Sequence, residues 1–325
     1  MAKKLLIIIG IAVAVILISS VFLYVIYFGA PKKNADLERF IVGQNFSFAQ
    51  TVDKLASDGF IKNKKAFDFV LSLNKIKKIN SGGYKISKAM NAFEIASILS
   101  GKSYMKWVVI PEGLRKEEIA NILAENLGWT KVEKDEWINK DTAVKLDYTE
   151  GVYFPDTYLI SVDETPEAIA KRLQTHFEEK FSTFSKEASK QNIKWVTVVK
   201  LASIIQREAA SKDDMPIISG VLWNRLDQGM KLEVDSTLQY ARGDVGQGYW
   251  APIRVADKKL DSPYNTYMNK GLPPAPISNP GTDAMKAVLY PAKTKCLYYL
   301  HDSSKDIHCA ETYPDHQKNI ALYLK

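Results

Sequence analysis

The chain has 325 residues, of which 46% are hydrophobic and 25% are charged. This ordinary globular composition leaves room for two or three domains, and a chain of this length can bury a core without a metal or a disulfide. The formal net charge of +7 favours anionic surroundings, such as lipid headgroups or a polymer that carries carboxylates. The basic residues are scattered and are not interleaved with aromatic side chains, which argues against nucleic-acid binding.

The N-terminal segment predicts a membrane anchor. Residues 5–28 carry no charge, and a helix of that length spans about 36 Å, enough for a hydrocarbon core of about 30 Å. Tyr24, Tyr27 and Phe28 close the segment as an interfacial aromatic belt would. A cleavable signal peptide has a shorter apolar region and small residues at its cleavage site. We therefore expect a retained, single-pass transmembrane helix over residues 5–28.

The orientation of this helix is predicted from the length of the chain that follows it. Lysines lie on both sides of the segment, so their distribution is close to balanced. A long soluble region after one N-terminal span usually lies outside the cytoplasm. Residues 1–4 are therefore expected to form a cytoplasmic tail and residues 29–36 a linker, with the rest of the chain extracytoplasmic at the cell (inner or cytoplasmic) membrane.

Helical and strand patterns alternate along the rest of the chain. Up to residue 110 the spacing predicts helices over 48–59, 64–73 and 90–99 and strands over 84–86 and 104–110. Further on it predicts helices over 116–127, 165–181, 194–210, 214–228 and 315–324, and a hairpin that turns near 302–306. Asp214 is expected to cap the helix over 214–228, and Gly229 to end it. The aromatic stretch 150–158 is either a buried loop or the wall of a groove.

The helix over 194–210 carries one carboxyl group in an unusual position. On a helical projection Leu201 lies about 20° from Glu208. Ile204 and Ile205 lie about 40° and 60° to either side of it. Glu208 is therefore predicted to lie within the apolar stripe of this helix. An unpaired charge there would cost several kcal/mol, and burial favours the protonated form that a general acid for glycosidic cleavage requires.

A second interpretation of Glu208 is structural. The residue lies in the last turn of the predicted helix, so its side chain could instead reach solvent or pair with a buried arginine such as Arg225. Gln206 and Arg207 point away from the apolar stripe. The pattern alone does not decide between the catalytic and the structural interpretation.

The segment 229–240 is predicted to be partly extended and rich in hydrogen-bonding side chains. Ser236, Thr237 and Gln239 are of the donor and acceptor types that suit sugar hydroxyls and N-acetyl groups, and they would equally serve as turn caps.

Six blocks of sequence occur in a characteristic order. They are 110–113 (Ile-Pro-Glu-Gly), 150–158 (Glu-Gly-Val-Tyr-Phe-Pro-Asp-Thr-Tyr), 202–208 (Ala-Ser-Ile-Ile-Gln-Arg-Glu), 224–232 (Asn-Arg-Leu-Asp-Gln-Gly-Met-Lys-Leu), 235–240 (Asp-Ser-Thr-Leu-Gln-Tyr) and the Pro- and Gly-rich stretch 262–281. In this order they resemble the MltG/YceG-type endolytic murein transglycosylases. The resemblance covers roughly residues 37–325 and includes the position of the membrane anchor.

The resemblance implies an α+β fold: a LysM-like α/β module over residues 37–108 and a mixed α/β, YceG-like catalytic domain over residues 109–325. It implies cleavage of the MurNAc–GlcNAc bond within nascent peptidoglycan strands, leaving 1,6-anhydro-MurNAc ends. Glu208 falls on the catalytic position, as general acid and then base. The implied partners are peptidoglycan strands and the peptidoglycan synthases, and no cofactor is expected.

The sequence departs from the family at three positions. Gln206 stands where many relatives carry a second acidic residue, and because it points off the stripe its substitution is not expected to disable the chemistry. Ser236 and Ala275 stand where Pro and Gly are common, which leaves the shapes of these loops open.

One carboxyl group suffices for the implied reaction. Glycoside hydrolases usually need two carboxylates, and Asp235 is the best second candidate here. In a lytic transglycosylase the C6 hydroxyl of the same sugar ring attacks instead, with a large effective molarity. Tyr264 and Tyr267 are candidates for sugar stacking. The full set of predicted substrate-binding residues is Asn224, Asp235, Ser236, Thr237, Gln239, Tyr264, Asn265 and Tyr267.

Two alternatives to a transglycosylase remain open. A non-catalytic, membrane-anchored scaffold would bind glycan through the LysM-like module and the loops rich in Tyr and Pro, and would not need Glu208. A true hydrolase would use Asp235 beside Glu208 and would leave reducing ends.

The cysteines and histidines do not indicate a metal site. The spacing of Cys296 and Cys309 matches no zinc or redox motif. Outside the cytoplasm the two could form a disulfide, but the predicted hairpin places Cys309 nearer Tyr299 than Cys296, so a bridge stays undecided. The four histidines, His176, His301, His308 and His316, lack the spacing of metal ligands.

Overall fold

The computed structural model describes residues 2–143 and 149–324. Met1, from the predicted cytoplasmic tail, and residues 144–148 and Lys325, from the predicted catalytic domain, lie outside the described residues. The chain forms two compact units. The first unit comprises the residues up to Val108 together with Tyr158–Asp163, and the second comprises Val109–Thr157 and the chain from Glu164 onwards.

The first unit combines four helices with one four-stranded sheet. Its elements are α1 (Ala2–Tyr27), β1 (Leu37–Val42), α2 (Phe48–Ser57), α3 (Lys64–Leu73), β2 (Gly82–Ser87), α4 (Ala92–Ser100), β3 (Met105–Val109) and β4 (Thr157–Ser161). The strand order is β1-β2-β3-β4, and β1 pairs antiparallel with β2, with Leu37 opposite Ser87 and Val42 opposite Gly82. The order β1–α2–α3–β2 is therefore a strand-helix-helix-strand unit. Its core includes Phe40, Leu55, Phe67, Tyr84 and Ile95.

Local signals in the sequence explain the helices of this unit. Ser47 and Asn91 begin α2 and α4 with reciprocal capping boxes to Gln50 and Glu94, which satisfy the free N–H groups of the first turn. The predicted helices over 48–59, 64–73 and 90–99 are confirmed within the usual uncertainty of helix ends.

Two strands of this sheet differ from the sequence prediction. β1 was not predicted because its first three residues are exposed and the alternating pattern of a strand is missing from that half. β4 lies in the part of the chain assigned to the second domain, 109–325, yet it completes the sheet of the first unit beside β3. The stretch 150–158 therefore leads into a strand.

Helix α1 has the properties of a membrane-crossing helix. Lys4–Tyr27 is long and apolar enough to span a bilayer, and none of it is buried inside the protein. It is the one such helix among the residues that the structure describes. The fold is thus α+β with one apolar N-terminal helix.

The second unit is mainly helical and is built around a buried helix. Its elements are α5 (Lys116–Leu127), α6 (Lys131–Glu136), a π-helical turn (Trp137–Asp141), α7 (Pro166–Lys190), α8 (Trp195–Glu208), α9 (Met215–Asp227), α10 (Asp235–Arg242), a 3₁₀ turn (Val255–Lys259), α11 (Thr282–Leu289), β5 (Tyr298–His301), β6 (Ile307–Ala310) and α12 (Tyr313–Tyr323). α8 packs against α7, α9, α10 and α11. The side chains of Val198, Leu201, Ile204 and Ile205 on α8 are fully buried.

The segment 229–240, predicted to be partly extended, contains a helix that was not predicted, because α10 begins at Asp235; the polar residues of its first turn hide the short apolar pattern. One local prediction in this unit is wrong. Asp214 does not cap α9 with its side chain. Its carboxylate instead accepts hydrogen bonds from the backbone N–H groups of Ala210 and Ser211 and lies 3.2 Å from His301.

A buried polar junction in the second unit joins two of the sequence blocks, 150–158 and 262–281, to residues 114–116. The side-chain amide of Asn279 donates to Glu150 at 2.6 Å and to the carbonyl of Leu114 at 3.0 Å, and its oxygen accepts from the N–H of Tyr153 at 2.8 Å. The backbone N–H of Lys116 also donates to the Glu150 carboxyl. Glu150 is completely buried, so these bonds replace the water that the carboxyl group loses on folding.

The junction predicts a pH-dependent stability. Burial, and then the charge of Glu117, raises the pKa of Glu150 from 4.5 to about 8. Between pH 4.5 and about 8, Glu150 keeps its proton in the folded state and loses it in the unfolded state. The contribution of Glu150 to the free energy of unfolding is therefore complete at low pH and is lost as the pH rises towards 8. Glu150→Gln should abolish that loss, and its stability relative to wild type should rise by several kcal/mol from pH 5 to pH 8.

Thermal unfolding of the full chain in detergent at several pH values measures this difference. Glu125→Gln, at an exposed position on α5, is the matched control and should follow the wild type. A difference in unfolding stability between Glu150→Gln and wild type that does not change with pH would contradict the prediction.

Candidate active site

The carboxyl group of Glu208 is held by hydrogen bonds on both of its oxygens. Oε1 accepts from the hydroxyl of Ser236 at 2.6 Å and from the N–H of the same residue at 3.3 Å. Oε2 accepts from the hydroxyl of Tyr299 at 2.9 Å. The three residues come from α8, α10 and β5. Bonds from two directions fix the plane of the carboxyl group.

The position of Glu208 differs from the predicted one. α8 ends at this residue and the chain leaves the helix at Ala209, so the side chain is half-buried and is not enclosed in the apolar stripe. Of the two structural alternatives, a pair with Arg225 is wrong, because that arginine pairs with Glu233 at 3.1 Å. The other, a side chain that reaches solvent, agrees with the half-buried position of Glu208. Orientation by hydrogen bonds, rather than apolar burial, therefore distinguishes this carboxyl group.

Glu208 opens into a pocket of about 470 Å³, a size typical of ligand sites. The pocket is lined by Glu208, Leu222, Arg225, Leu232, Glu233, Val234, Asp235, Lys258, Tyr267, Leu297, Tyr298, Tyr299, Tyr313, His316 and Ile320. One side comes from the loop that precedes α10, and the opposite side from β5 and α12.

Two further predicted residues line this pocket as a pair. The hydroxyl of Tyr267 donates to Oδ1 of Asp235 at 2.6 Å. Burial, together with this carboxylate, raises the pKa of Tyr267, so its hydroxyl stays protonated. The structure thus brings Glu208, Asp235, Ser236 and Tyr267 together.

The other predicted residues use their polar groups inside the protein. Thr237 is buried and bonds to the carbonyl of Val234 and to Thr266, and Tyr264 packs its ring against Tyr240 at 4.8 Å. The amides of Gln239 and Asn265 donate to backbone carbonyls: those of Trp250, Ala251, Lys258 and Leu260. These residues do not line the pocket. They hold the loops around it.

Asn224 and Arg225 fix the chain that leads into β5. The amide of Asn224 donates to the carbonyls of Thr294 and Cys296 at 2.9 and 3.0 Å. Arg225, 6% exposed, donates to the carbonyl of Leu297 at 2.6 Å and to two carbonyls of the loop before α10. Asn224, predicted to bind substrate, therefore positions the strand that carries Tyr299.

Cys296 and Cys309 form a disulfide. The predicted hairpin register is confirmed, since Tyr299 lies opposite Cys309. The bridge forms because Cys296 lies just before β5, where the N–H of Leu297 donates to the carbonyl of Ala310 and continues the pairing.

Tyr299 was not predicted from the sequence. Burial, and then the charge of Glu208, raises its pKa, so the phenol stays protonated and donates to the carboxyl group. The predicted hairpin was the one signal near it, and no local pattern links residue 299 to residue 208.

Aromatic residues of the C-terminal helix form a further wall that was not predicted. The ring of Tyr298 lies 5.8 Å from that of Tyr313 and 5.3 Å from that of His316. Burial, and then the charge of Arg225, lowers the pKa of His316. Its Nδ1 has no hydrogen-bond partner within the described part of the chain. This wall offers flat rings and a neutral imidazole.

In residues 2–143 and 149–324, no three His, Cys, Asp or Glu side chains are grouped so that they could hold a metal ion.

The fold and the pocket agree with a family assignment. Residues 40–322 match the model of the YceG-like family, and the chain belongs to that family. Among solved structures, it is similar to a YceG-like protein of Listeria monocytogenes with a TM-score of 0.59 and 28% identity. That similarity covers 88% of this chain and 99% of the Listeria chain.

Two of the similar curated proteins are named endolytic murein transglycosylase. The one from Bacillus subtilis is 28% identical over 309 residues, which cover 87% of this chain and 85% of the relative. The one from Streptococcus pneumoniae (strain D39) is 26% identical over 305 residues, which cover 83% of this chain and 55% of the relative.

The disulfide predicts a measurable loss of stability on reduction. Its cysteines are 13 residues apart, and closing a loop of about 15 residues stabilises a fold by about 3 kcal/mol. Cys296→Ala/Cys309→Ala should lower the free energy of unfolding by about 2–4 kcal/mol. Thermal unfolding with and without a reductant tests this. The reduced wild type should unfold at the same temperature as the double variant. An unfolding temperature of the wild type that does not change with the reductant would contradict the disulfide.

Proposed function

We propose that this protein is an endolytic lytic transglycosylase that cleaves the MurNAc–GlcNAc bond of peptidoglycan strands and leaves 1,6-anhydro-MurNAc ends. The observation that carries the proposal is the Glu208 carboxyl group, oriented by Ser236 and Tyr299 at the edge of a sugar-sized pocket. The names of the curated relatives from Bacillus subtilis and Streptococcus pneumoniae support the same reaction.

The first step is protonation of the leaving group. Protonated Glu208 donates its proton to the glycosidic oxygen, the bond from C1 of MurNAc to that oxygen breaks, and the GlcNAc-ended strand leaves with a hydroxyl group. Ser236 and Tyr299 keep the carboxyl plane directed at the pocket during this transfer. Positive charge develops on the MurNAc ring, and the ionised Glu208 and nearby Asp235 stabilise it electrostatically.

The second step closes the anhydro ring. The C6 hydroxyl of the same MurNAc attacks C1, and the Glu208 carboxylate accepts the hydroxyl proton, which restores the acid for the next cycle. No water is consumed, so a second carboxylate is not needed to activate one. Holding the ring so that C6 faces C1 provides the large effective molarity of an intramolecular attack.

The walls of the pocket suit a glycan strand. Tyr267, Tyr298 and Tyr313 present aromatic rings on which sugars stack, and the neutral ring of His316 extends the same wall. We assign these residues to substrate binding with Asp235. Asn224, Thr237, Gln239, Tyr264 and Asn265 instead hold the surrounding loops.

The first unit is proposed to hold the enzyme at the membrane and on the glycan. α1 would anchor the chain in the cell membrane, with both units extracytoplasmic, where synthases deliver nascent strands. The strand-helix-helix-strand order of β1–α2–α3–β2 supports a LysM-like, glycan-binding module.

Mass spectrometry of glycan products tests the reaction. Purified peptidoglycan strands incubated with the full chain should yield fragments with anhydro-MurNAc ends. Glu208→Gln, which keeps the shape but cannot exchange the proton, should lower the rate at least about 100-fold. Fragments with reducing ends would indicate a hydrolase that uses Asp235. Equal amounts of product from wild type and Glu208→Gln would show that Glu208 is not catalytic. No product from either protein would favour the glycan-binding scaffold.

The hydrogen bonds to Glu208 predict a selective loss of turnover. Tyr299→Phe removes one hydrogen bond to a charged group and should lower kcat about 10- to 100-fold with little change in KM. Ser236→Ala should act in the same direction. Tyr264→Phe, which loses a hydroxyl outside the pocket, is the matched control and should retain wild-type turnover. Steady-state kinetics in which Tyr299→Phe equals Tyr264→Phe would contradict the positioning role.

A further inference from the structure

The end of α1 is packed into the first unit through aromatic rings. The ring of Tyr24, in the last turn of α1, lies 6.4 Å from that of Phe93 on α4. The ring of Phe28 lies 5.8 Å from Phe93 and 6.3 Å from Phe69 on α3. Phe93 is therefore level with the last turn of the apolar helix.

Hydrogen bonds to backbone carbonyls join the same parts of the first unit. The ammonium group of Lys62 donates to the carbonyl of Val25 at 2.9 Å, and the N–H of Ala92 donates to the carbonyl of Phe28 at 2.8 Å. The last carbonyls of a helix need such partners, and a cation is favoured at that end. The residues after α1, predicted to be a linker, are thus attached to the unit.

A basic pocket lies beside this junction. It has a volume of about 480 Å³ and is lined by Asn74, Lys75, Ile76, Lys77, Lys78, Phe93, Ser97 and Ser100. The three lysines are exposed, and none forms an ion pair with the residues that the structure describes. Three ammonium groups and two hydroxyl groups thus surround a space that Phe93 connects to the end of α1.

Apolar surface adjoins this pocket. A groove of about 500 Å³ shares Phe93 and Ser97 with it and is also lined by Met90, Glu94 and Ile98. Glu94 caps α4 through the N–H of Asn91. On α3, Phe69 and Leu73 are 57% and 61% exposed and lie on one face of the helix.

We propose that the basic pocket binds the phosphate headgroup of an anionic phospholipid in the leaflet where α1 ends. The inference rests on the proposed membrane anchor, because it is the anchor that brings Phe93 to the surface of the bilayer. Ammonium and hydroxyl donors match phosphate oxygens, and exposed apolar side chains beside them match the upper part of the acyl chains. Bound lipid would fix the orientation of the first unit on the membrane.

Lipid retention by the full chain tests this site. The protein is reconstituted into nanodiscs of phosphatidylcholine with a minority of phosphatidylglycerol, and native mass spectrometry counts the phosphatidylglycerol retained. Each lysine near an anionic surface strengthens binding about fivefold, so Lys75→Gln/Lys77→Gln/Lys78→Gln should weaken retention at least about tenfold. The charge-matched control, Lys171→Gln/Lys186→Gln/Lys212→Gln, changes three exposed lysines of the second unit and should retain lipid as wild type does.

Several outcomes would overturn the proposal. Equal retention by both triple variants would do so, as would displacement of the lipid by millimolar glycerol phosphate, which would indicate a site for soluble phosphate. If the Lys75→Gln/Lys77→Gln/Lys78→Gln variant loses binding to soluble glycan fragments and keeps its lipid, the basic pocket binds peptidoglycan glycan.

Failure of the underlying function gives different results. If the wild type does not remain in nanodiscs, the proposed membrane anchor is wrong, and the proposed lipid site is wrong with it. Cleavage of soluble glycan strands in detergent should be unchanged in the Lys75→Gln/Lys77→Gln/Lys78→Gln variant, because none of these lysines lines the pocket that holds Glu208. A loss of that cleavage would contradict a role confined to lipid.

Discussion

The candidate active site depends on the hydrogen bonds that Ser236 and Tyr299 donate to Glu208. A carboxyl group at the end of a helix is ordinarily free to rotate into solvent. Here one oxygen accepts a hydrogen bond from Ser236, 28 residues further along the chain, and the other accepts one from Tyr299, 91 residues further. The reacting proton must be delivered along a defined direction, so the surrounding structure serves to keep these partners in place.

Much of the second unit contributes to that constraint. The buried apolar face of α8 fixes the backbone of Glu208. Asn224 and Arg225 on α9 hold the chain before β5, and the disulfide joins that chain to β6, so Tyr299 has little freedom to move away. Within α8, the hydroxyl and carbonyl of Ser203 accept hydrogen bonds from the N–H of Ile277 and the hydroxyl of Ser278, in the segment that leads to the Asn279 junction. Residues that match the family blocks are thus largely supports, and few of them face the pocket.

Sequence reasoning was most successful where the relevant contact is local. Helical spacing and capping residues such as Asn91 predicted most helices, including α8, although not the half-buried position of Glu208 at its end. It failed where a contact joins distant segments: Tyr299, the aromatic wall around Tyr298, and the pairing of β4 with β3. Asn224 and Thr237 were assigned to substrate because a polar side chain looks alike whether it meets a sugar or a backbone carbonyl.

The central claim is that Glu208 protonates the glycosidic oxygen, and the structure of a trapped complex tests it most directly. A crystal structure of the Glu208→Gln variant with a peptidoglycan strand bound should place the glycosidic oxygen between MurNAc and GlcNAc about 3 Å from the side-chain amide at position 208. The C6 hydroxyl of that MurNAc should lie on the same side. A strand bound across the pocket with its glycosidic oxygens beyond hydrogen-bonding reach, or bound only on the first unit, would contradict the account.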